Sequence, residues 1–181
     1  MYNGHNLEDV RGHWSYPKNV DIAAPPPATA ASTVPPTGEL KKSGYGAETP
    51  ASLPGGKLIT PVAAWQAIQQ GLQDAGKNVV VLSTIEEKLG LPTALGANFA
   101  GPGTSLDGND PVQEQLARKM AKVASDRGQM IITYCHHSKC WLSYNVALRL
   151  VALGYKNVHW LRDGISGWTA ERLPLGNVAE F

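Results

Sequence analysis

Apolar residues recur at helical spacing in three segments of the chain. Residues 60–76 predict a helix that begins after an N-cap at Thr60, with Pro61 as its first residue, and ends near Gly76. Similar spacing predicts two more helices further along the chain. The apolar positions are Val62, Trp65, Ile68 and Leu72 in the first helix, Val112, Leu116, Met120 and Val123 in the second (111–128), and Val146, Leu150 and Leu153 in the third (143–154).

Three short, continuous apolar runs have the pattern of strands that are covered on both faces. Residues 91–110 are rich in turn residues and contain one short apolar piece at 97–99. Residues 163–174, "DGISGWTAERLP", predict a turn that opens into a short last helix. The three strand-like runs are "NVVVLST" (78–84), "MIITY" (130–134) and "NVHWL" (157–161).

Strands that alternate with helices predict an α/β domain with a mainly parallel sheet and helices on both faces. Ligands of such sheets bind beyond the carboxyl ends of the strands. Cys135 directly follows the second strand-like run, so it is predicted to lie at that edge. The sequence therefore directs attention to the segment "CHHSKC", which contains both cysteines of the chain.

The N-terminal part differs in composition. Residues 25–54 are rich in Pro, Ala, Ser, Thr and Gly, which predicts an extended arm or linker with little buried surface. Residues 1–24 contain apolar side chains that either anchor this arm on the domain or belong to a disordered tail. We therefore expect an arm over residues 1–56 and a domain over 57–181. The candidate anchors are Trp14, Tyr16, Val20 and Ile22.

Composition narrows the function classes. A net charge of +1 over 181 residues gives no broad basic surface for nucleic acid. No apolar run approaches the roughly 18 residues that a membrane span needs. The first residues, "MYNGHNLEDVRGHW", lack the pattern of a signal peptide, although a mature exported form would have lost one. Two cysteines are too few for a disulfide framework, but one local pair fits a periplasmic bridge or a redox couple.

The cysteine loop has features that favour a reactive thiol. A cysteine between a strand and a helix N-terminus is exposed to unpaired N–H groups and to the positive end of the helix dipole, which favour the thiolate. Lys139, His136 and, when protonated, His137 add positive charge. We therefore expect Cys135 to be ionised and accessible, in a loop suited to a small sulfur-containing anion.

Other chemistries remain open at this stage. The two cysteines with His136 and His137 could ligate copper or zinc, although the spacing matches no standard zinc finger. Cys140 could instead be a small buried residue, or close a disulfide with Cys135. A phosphatase-type site needs an arginine six positions after the cysteine to bind the oxyanion, and Trp141 stands there.

Residues 134–175, "YCHHSKCWLSYNVALRLVALGYKNVHWLRDGISGWTAERLPL", resemble the C-terminal half of a rhodanese-like domain. Asp163, Gly164, Ile165 and Trp168 match the family's segment after the last strand. The resemblance implies a three-layer α/β fold and a sulfurtransferase in which Cys135 accepts a sulfane sulfur from thiosulfate or a persulfide. It differs in a longer loop without glycine, and in "STI" (83–85) where an Asp-x-Arg is common.

The resemblance also implies roles for the loop residues. Cys140 would be the second thiol, which resolves a persulfide on Cys135 or closes a regulatory disulfide. Ser143 would correspond to the small hydroxyl residue that follows the family's loop. The implied catalytic residues are Cys135 and Cys140, and the implied substrate-binding loop consists of His136, His137, Ser138, Lys139, Trp141 and Ser143.

Within this superfamily, "CWLSYN" and residues 43–68 resemble the CxxCW-motif proteins associated with pyrroloquinoline-quinone-dependent catabolism. That resemblance implies a periplasmic mature form, with a cytoplasmic location as the alternative. It also suggests a second hypothesis, in which a non-catalytic accessory module, metal-binding or not, serves a periplasmic quinoprotein dehydrogenase or cytochrome. No cofactor is indicated by the sequence itself. The expected small partners are a sulfur-containing anion and a thiol acceptor.

Overall fold

The computed structural model describes residues 32–181 and contains a six-stranded sheet in the order β1-β6-β5-β2-β4-β8, in which every neighbouring pair is parallel. A separate antiparallel pair joins β3 to β7. The strands are β1 (Lys57–Leu58), β2 (Val80–Ser83), β3 (Leu89–Gly90), β4 (Ala94–Gly96), β5 (Ile131–Tyr134), β6 (Val158–Leu161), β7 (Gly176–Asn177) and β8 (Ala179–Glu180).

Four helices cover the two faces of the sheet, which gives three layers. One apolar cluster joins one face to α2 and α3, and a second joins the opposite face to α1 and α4. The expected α/β architecture with a mainly parallel sheet is therefore confirmed. No helix formed by residues 32–181 has the length and apolar character that crossing a bilayer requires. The helices are α1 (Pro61–Gln73), α2 (Pro111–Val123), α3 (Trp141–Ala152) and α4 (Gly164–Ala170).

The sequence predicts the first residues of the helices more accurately than their last residues. Thr60 caps α1, and its side chain accepts a hydrogen bond from the Ala63 N–H group. Leu72, predicted to face the core, is 46% exposed because α1 buries Pro61, Ala64, Trp65 and Ile68 instead. Helix α2 ends at Val123, five residues before the predicted glycine. Strand β4 was not predicted, because it is three residues long and lies in a turn-rich segment.

Residues 32–56 form no helix or strand, yet they pack along α3. The Thr37 and Lys41 backbones exchange hydrogen bonds with the side chains of Tyr144 and Asn145. Thr49 and Leu53 are buried, so this segment buries more than its composition predicted, because polar side chains of α3 bind its backbone. The proposed domain boundary at residue 57 stays a prediction. Trp14, Tyr16, Val20 and Ile22, the candidate anchors, lie outside the described residues.

Arg149 on α3 is fully buried and is the centre of a hydrogen-bond network. Its guanidinium donates to the carbonyls of Ala100, Pro102 and Ser105 and to the side chains of Thr104 and Gln113. Because all of these residues except Gln113 lie between β4 and α2, one side chain orders the segment that follows β4.

Asp110, the N-cap of α2, lies 3.6 Å from the same guanidinium. Burial acts to raise the pKa of Asp110, but hydrogen bonds from Thr104, Gln113 and Val112, together with the charge of Arg149, outweigh it and lower the pKa. The carboxylate therefore stays ionised beside a charge that it partly neutralises.

Replacing Arg149 with methionine should lower the free energy of unfolding by about 3 kcal/mol, because it leaves buried carbonyls and Asp110 without their donor. Urea unfolding monitored by circular dichroism measures the change. Arg118→Met is the control, because Arg118 is exposed on α2 and pairs with the exposed Glu114 one turn earlier, so a change of no more than about 0.5 kcal/mol is expected. Equal losses in both variants would contradict this account.

His159 on β6 has one ring nitrogen paired and the other buried without a partner among residues 32–181. Its Nε2 lies 2.9 Å from Asn157 Oδ1, whereas Nδ1 has no hydrogen bond. A neutral ring that donates from Nε2 fits this site, and a proton added at Nδ1 would find no acceptor. Burial, followed by repulsion from Lys57 on β1, lowers the pKa of His159.

The stability of the fold should therefore decrease as the pH falls below about 6.5, the ordinary pKa of histidine. In that range the unfolded chain takes up a proton that folded His159 does not, and the slope for one such group is at most about 1.4 kcal/mol per pH unit. Urea unfolding between pH 8 and pH 5, in steps of about half a unit, measures it. His159→Gln should flatten the profile, and an unchanged profile in that variant would contradict the assignment.

Candidate functional site

The two cysteines lie at the carboxyl edge of the sheet and are joined by a disulfide. Cys135 directly follows β5, and Cys140 is the N-cap of α3, with a distance of 6.2 Å between their Cα atoms. Cys135 is 1% exposed and Cys140 is 8% exposed. The bond therefore closes the loop 136–139 at its base, with the more accessible sulfur on the helix side.

The expectation of an ionised, accessible Cys135 differs from this arrangement. In the disulfide neither sulfur carries a thiolate, and Cys135 packs in the apolar cluster with Trp65 and Ile68 of α1. The N-terminus of α3 begins beside Cys140 rather than Cys135, and the Trp141 N–H group already donates to the Tyr45 carbonyl. The helix dipole thus acts most directly on the Cys140 sulfur, and only after the disulfide opens.

The carbonyl groups of the loop are bound from several directions. Those of Cys135 and His136 accept the Ile165 and Ser166 N–H groups at the start of α4. The His137 carbonyl accepts the Cys140 N–H group, and the Ser138 carbonyl accepts the Thr49 hydroxyl. Among residues 32–181, no acceptor takes the N–H groups of residues 136–138. The loop is therefore held by its carbonyls, which leaves three amides free for an anionic ligand.

The predicted loop side chains separate into an exposed group and a buried one. His136, His137 and Lys139 are exposed, and Ser138 is partly buried. His136 Nε2 lies 3.6 Å from Glu87 Oε1, and His137 Nδ1 accepts the Lys139 N–H group. The positive charge expected around the sulfurs is thus partly balanced by a nearby carboxylate.

Trp141 and Ser143 do not line the loop. The Trp141 indole is buried, donates to the Glu48 carbonyl and packs edge-to-face with Tyr144, so it fixes the arm to α3. Ser143 is 1% exposed and accepts a hydrogen bond from the Trp160 indole. The first turn of α3 thus turns this side chain toward the sheet, and its role in a substrate-binding loop stays a prediction.

Three residues that hold the loop were not predicted. Arg162, directly after β6, donates to the Thr49 hydroxyl and carbonyl and to the Glu48 carboxylate. Thr49 in turn donates to the loop at Ser138. The position of Arg162 after a buried strand could have marked it, because it lies at the same sheet edge as Cys135. Glu48 and Thr49 lie in a polar segment that gave no such signal.

Metal binding through the loop does not fit the disulfide form. Both sulfurs are bonded to each other, which removes the thiolates that copper or zinc would need. Within residues 32–181, no group of three or more histidine, cysteine or acidic side chains is arranged to hold a metal ion. The arrangement is instead that of one disulfide-bonded cysteine pair next to the loop N–H groups of residues 136–138, which have no acceptor among residues 32–181.

Gly164→Ala should loosen the loop, since Gly164 has φ of +59° and an added Cβ would overlap the Cys135 carbonyl and lie 2.7 Å from the His136 carbonyl carbon. Gly154→Ala is the matched control, because Gly154 has φ of +86° with open space around it. Both should lose about 1 kcal/mol from the left-handed conformation. Only Gly164→Ala should lose more in urea unfolding and also have its disulfide reduced faster by dithiothreitol. Equal behaviour of the two variants would contradict this.

Comparison with known proteins gives one family match. Residues 96–171 match the family model of the rhodanese-like domain, from the end of β4 through α4 and including the disulfide loop. No curated protein matches the sequence.

Solved structures with similar folds have low sequence identity. A structure named YnjE is 21% identical over 68% of this chain and 31% of its own, with a TM-score of 0.50. A thiosulfate sulfurtransferase from Pseudomonas aeruginosa is 19% identical over 70% of this chain, with a TM-score of 0.45, and the chain spans only 21% of its length. The BH2092 protein from Bacillus halodurans is 19% identical over 66% of this chain and 76% of its own, with a TM-score of 0.47.

At 21% identity, the YnjE structure shows similarity of fold alone. The family match covers the strand, the cysteine loop and the helix that carry the sequence resemblance. Residues 96–171 therefore match the rhodanese-like domain, and the parallel sheet with its flanking helices agrees with that match.

Proposed function

We propose that the protein handles sulfane sulfur through Cys135 and Cys140, as a sulfurtransferase whose second thiol returns the site to the disulfide form. The observation that carries the proposal is the bonded pair at the carboxyl edge of a rhodanese-like sheet. The first of these sulfurs follows β5, and the second begins α3. Opening and closing one bond therefore changes the chemical state of both sulfurs.

In the first step, the reduced Cys135 thiolate attacks the outer sulfur of thiosulfate. The sulfur–sulfur bond of the donor breaks, sulfite leaves with its electron pair, and Cys135 becomes a persulfide. The free N–H groups of residues 136–138 support this step, because amide dipoles stabilise anions at both the donor and the persulfide. Among the charged side chains, Lys139 adds positive charge and Glu87 opposes it.

In the second step, Cys140 resolves the persulfide when no other acceptor arrives. Its thiolate attacks the Cys135 sulfur, the bond to the outer sulfur breaks, and hydrosulfide leaves as the Cys135–Cys140 disulfide forms. A thiol from a second molecule must then reduce the disulfide. The greater exposure of Cys140 favours attack there, with the Cys135 thiolate as the leaving group.

Burial of both sulfurs favours a second candidate function, in which the disulfide is permanent and the domain is a binding module. In that form the arm and the loop would present a fixed surface to a quinoprotein dehydrogenase or cytochrome. A disulfide that resists reduction under native conditions would support the module. Ready reduction by a small thiol would support the sulfurtransferase.

We also propose that the protein belongs with the CxxCW-motif group and works in the periplasm, with the cytoplasm as the alternative. Disulfides form and persist in oxidising compartments. The Cys140–Trp141 pair supports the group assignment, because Trp141 fixes the arm through Glu48. Intact mass of the protein from fractionated cells tests the compartment, since a predominantly reduced form from the cytoplasm would contradict it.

Cyanolysis after loading with thiosulfate tests the sulfurtransferase. Reduced wild type should release thiocyanate, Cys135→Ser should release none, and Cys140→Ser should release more than wild type, by about twofold or greater, because no resolving thiol discharges the persulfide. Intact mass should show a persulfide on Cys140→Ser and a disulfide with released hydrosulfide on wild type.

Ser125→Ala is the control variant, because Ser125 is exposed in the segment between α2 and β5 and lies outside the cysteine loop. It should behave as wild type. Absence of thiocyanate from both wild type and Cys140→Ser, with each protein shown to be reduced and folded, would overturn the proposal.

A further inference from the structure

A cleft of about 490 Å³ lies directly beside the disulfide loop. His136 and Leu142 form its wall next to the two cysteines, and Ile85 lies opposite. Ile85 belongs to the same apolar cluster as both sulfurs, and Leu142 packs against that cluster. Thr84, also in the lining, binds the Tyr134 carbonyl just before Cys135. The cleft therefore lies on the β2 side of the disulfide loop, lined by residues that adjoin the two cysteines in sequence and in the apolar cluster.

This cleft continues into a second one of about 900 Å³. The two share five lining residues, so they form one groove that runs from His136 to Phe181 along the carboxyl ends of β2, β4 and β8. Either part alone is large for thiosulfate, since pockets of about 300–1,000 Å³ hold drug-sized ligands. The shared residues are Ile85, Glu86, Glu87, Asn98 and Phe99. The groove has the dimensions for a polypeptide segment.

Charge distinguishes the two ends of the groove. Glu86 and Glu87 stand at its middle, where Asn98 Nδ2 lies 3.5 Å from Glu86 and His136 Nε2 lies 3.6 Å from Glu87. Lys119 lies at the far end, where its ammonium already contacts the Phe181 carbonyl and the Phe99 ring. Glu180 also lines the far end, together with the exposed Lys88. The charged lining of the cleft beside the disulfide loop is therefore acidic, apart from the His136 ring.

We propose that the groove binds a polypeptide thiol whose cysteine is flanked by basic residues, and that Glu86 and Glu87 select it as the reductant or sulfur acceptor of the Cys135–Cys140 pair. The proposal rests on the proposed thiol chemistry of this pair. The incoming thiolate attacks the Cys140 sulfur to form a mixed disulfide and release the Cys135 thiolate. A second thiol then attacks the mixed disulfide, which leaves the protein as a dithiol and the partner oxidised.

Reduction of the disulfide by matched pentapeptides tests this. One peptide carries lysine on both sides of its cysteine and the other carries glutamate, and each rate is divided by the same peptide's rate with the neutral hydroxyethyl disulfide. In wild type the lysine peptide should be about fivefold faster at low ionic strength, and the ratio should approach one at about 1 M salt. Cysteamine, a small cationic thiol, should gain less than half of that advantage.

The double variant Glu86→Gln with Glu87→Gln should lose the selectivity, whereas Glu114→Gln with Glu171→Gln should retain it. The control pair makes the same change in net charge with two exposed residues outside the groove. Equal peptide ratios in the two double variants, or an equal advantage for cysteamine, would overturn the inference. Cyanolysis is independent of this readout. Peptide selectivity without thiocyanate release would therefore support the inferred role of the groove and contradict the sulfurtransferase proposal.

Discussion

The geometry of the site depends on how the backbone carbonyls of the cysteine loop are bound. Four successive carbonyls, from Cys135 to Ser138, are taken by α4, by the loop itself and by Thr49. Each such bond contributes about 1 kcal/mol, and together they fix which way the peptide planes face. With the carbonyls turned toward the protein, the N–H groups are left to bind a ligand. In this glycine-free loop, contacts with other parts of the protein thus orient the peptide planes. In a glycine-rich loop, the conformational freedom of the glycine backbone would allow the same orientation.

Helix α3 is buried along nearly its whole length and connects this loop to the rest of the domain. Its polar residues bind backbone in two segments: Tyr144 and Asn145 hold the segment 37–41, and Arg149 holds the segment before α2. Because the same helix begins at Cys140, its packing fixes the position of one of the two sulfurs. The other sulfur is fixed by β5 in the centre of the sheet.

The sequence predicted the sheet, the main helices and the position of both cysteines, because continuous apolar runs and helical spacing are local signals. The exposure of Cys135 was not predictable, since its burial depends on Trp65 and Ile68, which lie about 70 residues earlier in the chain. Thr49 and Arg162 act through contacts 113 residues apart in sequence, which no local pattern reveals. The inward orientation of Ser143 was not predictable, because family spacing does not report the rotation of a helix whose loop is two residues longer.

The sheet ends on both sides with strands of only two residues, β1 and β8. A short edge strand offers few free hydrogen-bond donors and acceptors to a strand from another molecule, so edge-to-edge association is weak. The four-residue central strands β2, β5 and β6 have neighbours on both edges, so they are not free to pair with another molecule. The domain should therefore have a low tendency to polymerise, both at high protein concentration and while its disulfide is transiently reduced.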